Sequence, residues 1–90
     1  MKTYKLTVSS PDGDIFNGEI VNLSLRGVMG DLAVMAGHIP FITSVVPGEC
    51  KIEFEDGDER LATTEGGILT VGADKVTLLA GSFRWKEENN

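Results

Sequence analysis

Few residues of this chain have both the type and the spacing to do chemistry. His38 is the single histidine, set in GDLAVMAGHIPFIT between Gly37 and a proline two positions on, and Cys50 is the single thiol. Nucleophilic catalysis would take Cys50 or a serine as nucleophile, His38 as its base and an acid such as Asp31 as orienter. The pattern argues against it: Cys50 alternates with Ile52 and Phe54 on one strand face, where a thiol is ordinarily buried and inert, and no G-x-S-x-G elbow occurs. Asp12 with Asp14, and Asp56 with Asp58, have the spacing that opens a calcium loop, yet the next ligand position is Phe16 in one and Arg60 in the other. Asp-Gly-Asp reads more economically as turn chemistry. A lone histidine cannot hold a transition metal without partners. Gly27, Gly30 and Gly37 lead into strands, not into a helix whose N-terminal amides could take an anion. These residues predict no catalytic group, no metal site and no cofactor.

The elements that must position them are short strands. Tyr4, Leu6 and Val8 alternate before a Pro11-Asp12-Gly13 turn, and Val21, Leu23 and Leu25 alternate before Gly27. Leu32 and Val34 share a face before Ala36, Gly37 and Pro40 interrupt them, and FITSVV runs into Pro47 and Gly48. Cys50, Ile52 and Phe54 then alternate with Lys51, Glu53 and Glu55 before Asp56-Gly57, a pair that predicts a two-residue hairpin turn into DERLATT. Gly66-Gly67, ILTV, a turn at 72–74 and KVTLLA complete the pattern. No window carries the i, i+3, i+4, i+7 spacing of a helix. The expectation is all-β: a flattened two-sheet antiparallel β-sandwich over 1–82 with no substantial helix, then a short polar tail over 83–90.

Composition sets the outer bounds. Ninety residues at 41% hydrophobic content suffice for one domain but not two. No apolar run approaches the roughly 20 residues of a membrane helix, and the opening MKTYKLTVSS lacks the apolar core of a signal peptide, so the chain is expected to be soluble and to stay where it is made. One cysteine excludes an internal disulfide and points to a reducing compartment. A formal charge of −6 argues against nucleic acid and anionic membrane surfaces as partners. Glu49, Glu53, Glu55, Asp56, Asp58 and Glu59 crowd one segment with only Lys51 against them, which reads as a solvated hairpin. A binding or assembly role is favoured by elimination, with a free-standing sandwich that binds a small ligand or calcium as the alternative.

The order of the punctuation narrows this further. Phe16-x-Gly18, Gly30-Asp31 before an apolar pair, Gly37-His38-x-Pro40, Pro47-Gly48, and Gly66-Gly67 before a strand ending in Val76 to Ala80 together resemble the epsilon subunit of F-type ATP synthases, from about Tyr4 to Ala80. Met29 stands where an acid is common in that family, Ala33 where a glycine is common, and Ala36 where a proline is. The resemblance implies a non-catalytic subunit of the central stalk, bound to gamma and to the membrane ring of c subunits, coupling ion flow to ATP synthesis at the cytoplasmic face of a bacterial plasma membrane. It implies a ring contact at Met29, Gly30 and Asp31, with Asp31 facing an arginine-marked loop. His38, Pro40, Thr43 and Ser10 are implied as gamma contacts or loop organisers, and GDLAVMAGHIPFIT as one contiguous surface loop. The family's two-helix C-terminal hairpin has no counterpart before Asn90, so inhibition of ATP hydrolysis by that route is not expected of this chain.

Overall fold

The computed structural model describes residues 2–86. Ten strands follow one another: β1 (Tyr4–Ser10), β2 (Gly13–Ile20), β3 (Asn22–Gly27), β4 (Gly30–Met35), β5 (Phe41–Val45), β6 (Gly48–Glu53), β7 (Glu59–Thr64), β8 (Gly67–Val71), β9 (Lys75–Ala80) and β10 (Phe83–Trp85). No helix occurs among the described residues. Successive side chains of a strand point to opposite faces, so the alternations sort themselves into an inside and an outside. Tyr4, Leu6 and Val8 of β1, Cys50 and Ile52 of β6, and Val76, Leu78 and Ala80 of β9 are all buried.

Hydrogen bonding follows one path, β10-β7-β6-β3-β5-β8-β9-β1-β2, with β4 added on β3. The path folds over where β3 meets β5 through a single register pair, Gly27 with Val45. One layer is thus β10, β7, β6, β3 and β4; the other is β5, β8, β9, β1 and β2. The core lies between them. The pairing is antiparallel except that β1 lies parallel to β9. No hairpin joins those two strands, so no turn dictates their direction.

Two glycines of the sequence pattern have a steric reason. A Cβ at Gly67 would lie 2.0 Å from the Leu79 carbonyl oxygen, so β8 can approach β9 there only without a side chain. A Cβ at Gly18 would sit 3.1 Å from the Phe16 ring, so the F-x-G element is an aromatic ring laid over a bare backbone.

That ring takes part in the closure of the sandwich. β2 and β10 are the two ends of the path and share no ladder. Phe16 of β2 meets Trp85 of β10 edge to face at 5.8 Å between centroids, and Phe54 at 6.0 Å. Trp85 also packs on Phe83 at 5.2 Å and carries the Arg60 guanidinium 3.6 Å above its ring.

The structure departs from expectation in three places. The β6 to β7 turn has three residues, not two: Phe54 N–H donates to Asp58 O and Gly57 N–H to Phe54 O, with Gly57 alone at positive φ (93°). Asp56 and Asp58 adopt negative φ, so Asp-Gly here supports a bulged three-residue loop. The segment from Gly30 to Thr43 is not one loop but β4, a turn, and the start of β5. The sheet also passes position 82, since β10 pairs with β7 and Phe83 is buried in the core; residues 87–90 of the expected tail lie outside the described residues.

Two predictions follow from the packing. Trp85→Ala should lower stability by about 2 to 3 kcal/mol, since it empties the seam between the end strands, whereas Arg60→Ala should cost about 0.5 to 1 kcal/mol; urea unfolding of both variants decides, and equal losses would refute a closing role for the seam. Cys50 is fully buried, and burial first and Glu49 second push its thiol up to about 11. An unfolded thiol ionises near pH 8.5, so the stability due to neutral Cys50 is complete below that pH and is lost as pH rises toward about 11. The urea midpoint should fall over this interval, and fall less steeply in Cys50→Ala. Burial also pushes the Tyr4 phenol up, extending the decline to higher pH.

Candidate functional site

The catalytic constellation is not assembled. Cys50 has no exposed surface. Asp31 and His38 flank opposite ends of β4, whose stretch from 31 to 35 alone spans roughly 13 Å at 3.3 Å per residue. Among the described residues no three His, Cys, Asp or Glu side chains converge on a point. Asp56 Oδ1 accepts from Asp58 N–H at 2.9 Å and Asp14 Oδ1 from Ser9 Oγ at 2.7 Å, so both carboxylates serve their own hairpins. The acidic β6/β7 hairpin is less bare than its sequence, because Lys86 reaches Glu49 at 2.6 Å while Lys51 stands 3.9 Å from both Glu53 and Glu59.

Strand register divides the expected contact residues between two ends of the sandwich. At one end, β3 and β4 are joined by the two-residue turn Val28-Met29, flanked by the paired Gly27 and Gly30. Met29 is 91% exposed and Val28 56%. Directly opposite one another below the turn, Arg26 Nε and Asp31 Oδ1 are 3.0 Å apart. Asp31 therefore already has a cation, which its sequence neighbours did not reveal; the signal was that positions 26 and 31 are equidistant from the turn. Beside the tip, an open groove of about 530 Å³ is lined by Ser24, Arg26, Asp31, Pro47, Glu49 and Lys51. Ser10 lies at the same end, where its hydroxyl accepts from Asp12 N–H at 3.2 Å and organises the β1/β2 turn.

His38 and Pro40 belong to the far end. The backbone N–H of His38 donates to Met35 O at 3.3 Å and closes the turn, while its imidazole lies 6.0 Å from the Phe41 ring. Ile39 between them is 81% exposed. Thr43 sits within β5 and faces the same way as the core residue Val45, with its hydroxyl turned to Ser44 O at 3.3 Å.

The positions that point outward from this layer are others. Ile42 (71% exposed), Ile68 (49%) and Leu79 (54%) stand on the outer face of β5, β8 and β9. Ile68 and Leu79 are register partners, and Ser44 pairs with Ile68. Val28 N–H donates to Ser44 O, which ties the tip to this face. Sequence reasoning passed over the three residues although Leu78-Leu79 held the clue: adjacent residues of a strand cannot both face one core.

An apolar outer face and an apolar tip, with an open groove beside the tip, suit contact with other proteins better than chemistry on a small molecule. Residues 3–86 match the family described as the ATP synthase delta/epsilon chain β-sandwich domain. Among solved structures, a chain of the mitochondrial ATP synthase of Euglena gracilis (OSCP/F1/c-ring) superposes with a TM-score of 0.87 at 22% identity, covering 92% of this chain and 53% of that one. A chain from the central stalk and c-ring of the Tetrahymena thermophila mitochondrial ATP synthase superposes with a TM-score of 0.74 at 17% identity, covering 91% and 66%. This chain thus spans about half the length of the first and two thirds of the second. With the family's sandwich matched across all but the first and last few positions, the chain belongs to the ATP synthase delta/epsilon β-sandwich family.

Proposed function

We propose that the chain is a non-catalytic subunit of the central stalk of an F-type ATP synthase, which fastens the gamma subunit to the membrane ring of c subunits so that rotation driven by ion flow reaches the catalytic head. The observation that carries this reading is the family match across the whole described sandwich. The two solved neighbours, which come from an F1/c-ring assembly and a central stalk/c-ring assembly, support it. Membrane association is then peripheral and runs through protein subunits; in a bacterial cell it is at the cytoplasmic face of the plasma membrane.

In this reading the tip residues Met29, Gly30 and Asp31 face the ring. The gamma contact is made by the outer face through Ile42, Ile68 and Leu79, whose exposure is what an unpartnered interface core looks like. His38, Pro40 and Ser10 shape the turns at the two ends, and Thr43 supports the inner side of the same strand as Ile42. Attachment through the sandwich does not by itself inhibit ATP hydrolysis.

Co-expression with a gamma subunit from the same source should give a stable complex, and persistent failure to co-purify would defeat the reading. Ile68→Lys with Leu79→Lys should weaken that complex by at least about tenfold, roughly 1.4 kcal/mol, with the unfolding midpoint of the free chain nearly unchanged because both side chains face water. Asp31→Lys, which leaves two cations at the tip, should reduce retention of the ring. Adding this chain to a complex that lacks it should restore coupling without strong inhibition of hydrolysis.

A further inference from the structure

We propose that β10 is a clasp: residues Phe83 to Lys86 leave β7 and return as one unit, in a reversible opening that spares the rest of the sandwich and both of its outward apolar surfaces. The proposal goes beyond the stalk reading and does not depend on it.

Among the described residues three strands have an edge without a ladder, β2, β4 and β10. β2 lays eight residues along β1. β4 lays six along β3, and its Val34 O also accepts from the Tyr4 hydroxyl. β10 has only three, paired with β7 alone and extended by Lys86 N–H, which donates to Leu61 O at 2.8 Å. The end strand with the shortest ladder is the piece of the sheet that lifts most readily.

Side chains supply most of its hold, and they let go together. Phe83 is buried, Trp85 packs on Phe16 and Phe83 beneath the Arg60 guanidinium, and Lys86 Nζ meets Glu49 at 2.6 Å. Arg60 and Glu49 are exposed, so water takes over both charges once the strand has left. The opening also has a fixed end. Thr64 is the only buried polar side chain among the described residues, and its hydroxyl donates to Ser82 O at 2.7 Å while accepting from Gly66 N–H at 3.2 Å. Glu65 N–H donates to the same Ser82 O at 3.3 Å, and Gly81 N–H to Gly66 O at 3.2 Å. The chain is thereby pinned through Ser82, and motion begins at Phe83. Ile42, Ile68 and Leu79 lie in the other layer, and Val28 and Met29 lie on the β3/β4 turn, so neither surface borrows a residue of β7 or β10.

The test is native-state hydrogen exchange of the whole chain, followed amide by amide well below the urea midpoint. The protected amides of 83–86, Lys86 N–H among them, should exchange as one group and about a hundredfold faster than those of β9, which has a neighbour on each side. Val34→Ala distinguishes a clasp from a domain that opens only as a whole, because β4 is the strand farthest from β10 in its layer. Lost packing there should speed β9 about tenfold and leave 83–86 within about twofold of wild type. Arg60→Gln removes a contact that both openings break, so it should speed both groups equally, by about threefold. Exchange of 83–86 at the β9 rate, an equal response of both groups to Val34→Ala, no response of 83–86 to Arg60→Gln, or rates that climb stepwise from Phe83 to Lys86 as in a fraying end, would each overturn the proposal.

Discussion

Everything in this molecule depends on keeping one continuous sheet folded against itself. The hinge of that fold is slight, a single register pair between Gly27 and Val45, and the opposite side has no backbone ladder at all among the described residues, because β2 and β10 end the hydrogen-bonded path. Side chains do there what hydrogen bonds do elsewhere. Phe16, Phe54, Phe83 and Trp85 meet edge to face across the opening, and Arg60 covers the outer ring. Edge-to-face contacts set angle as well as distance, so the seam fixes how the two layers sit over the core they share.

The surfaces then follow from arithmetic on strands. A strand offers alternate positions to the core, and a chain with more apolar residues than the core can take leaves some outside. Ile42, Ile68 and Leu79 are that surplus, and register gathers them on one face. Val28 and Met29 are surplus of another kind, held out on a turn that links by one hydrogen bond to the same face. The proposed role in the stalk calls for two such surfaces, one for each partner, and here the tip and the face adjoin.

Most of the fold was legible in the sequence because period-2 alternation and glycine or proline punctuation are local signals. β1, β6 and β9 could be read almost residue by residue, down to the buried Cys50. What could not be read was relational. The Arg26 and Asp31 pair exists only once β3 and β4 are in register; Lys86 reaches Glu49 only once the last strand lies beside β7. The outward set was hidden by residues such as those of FITSV, where both faces carry apolar side chains and the alternation does not choose between them. Thr43, which the resemblance implied, lies on the inner side of β5, and Ile42 beside it lies on the outer side. His38 stood out because it is chemically unusual, yet what holds its turn is a backbone amide.

The parallel pairing of β1 with β9 has a consequence for how the domain comes into being. Lys5 pairs with Lys75, so the first strand to be synthesised waits for nearly the last one before it can take its place between β9 and β2. Its hairpin with β2 can form early, but that hairpin alone has no core to rest on. Contacts so distant along the chain carry a large closure entropy and make for slow, late folding. The layer of β5, β8, β9, β1 and β2 therefore cannot close until the ninth strand has emerged, and until then β1 lacks the neighbour that covers one of its edges.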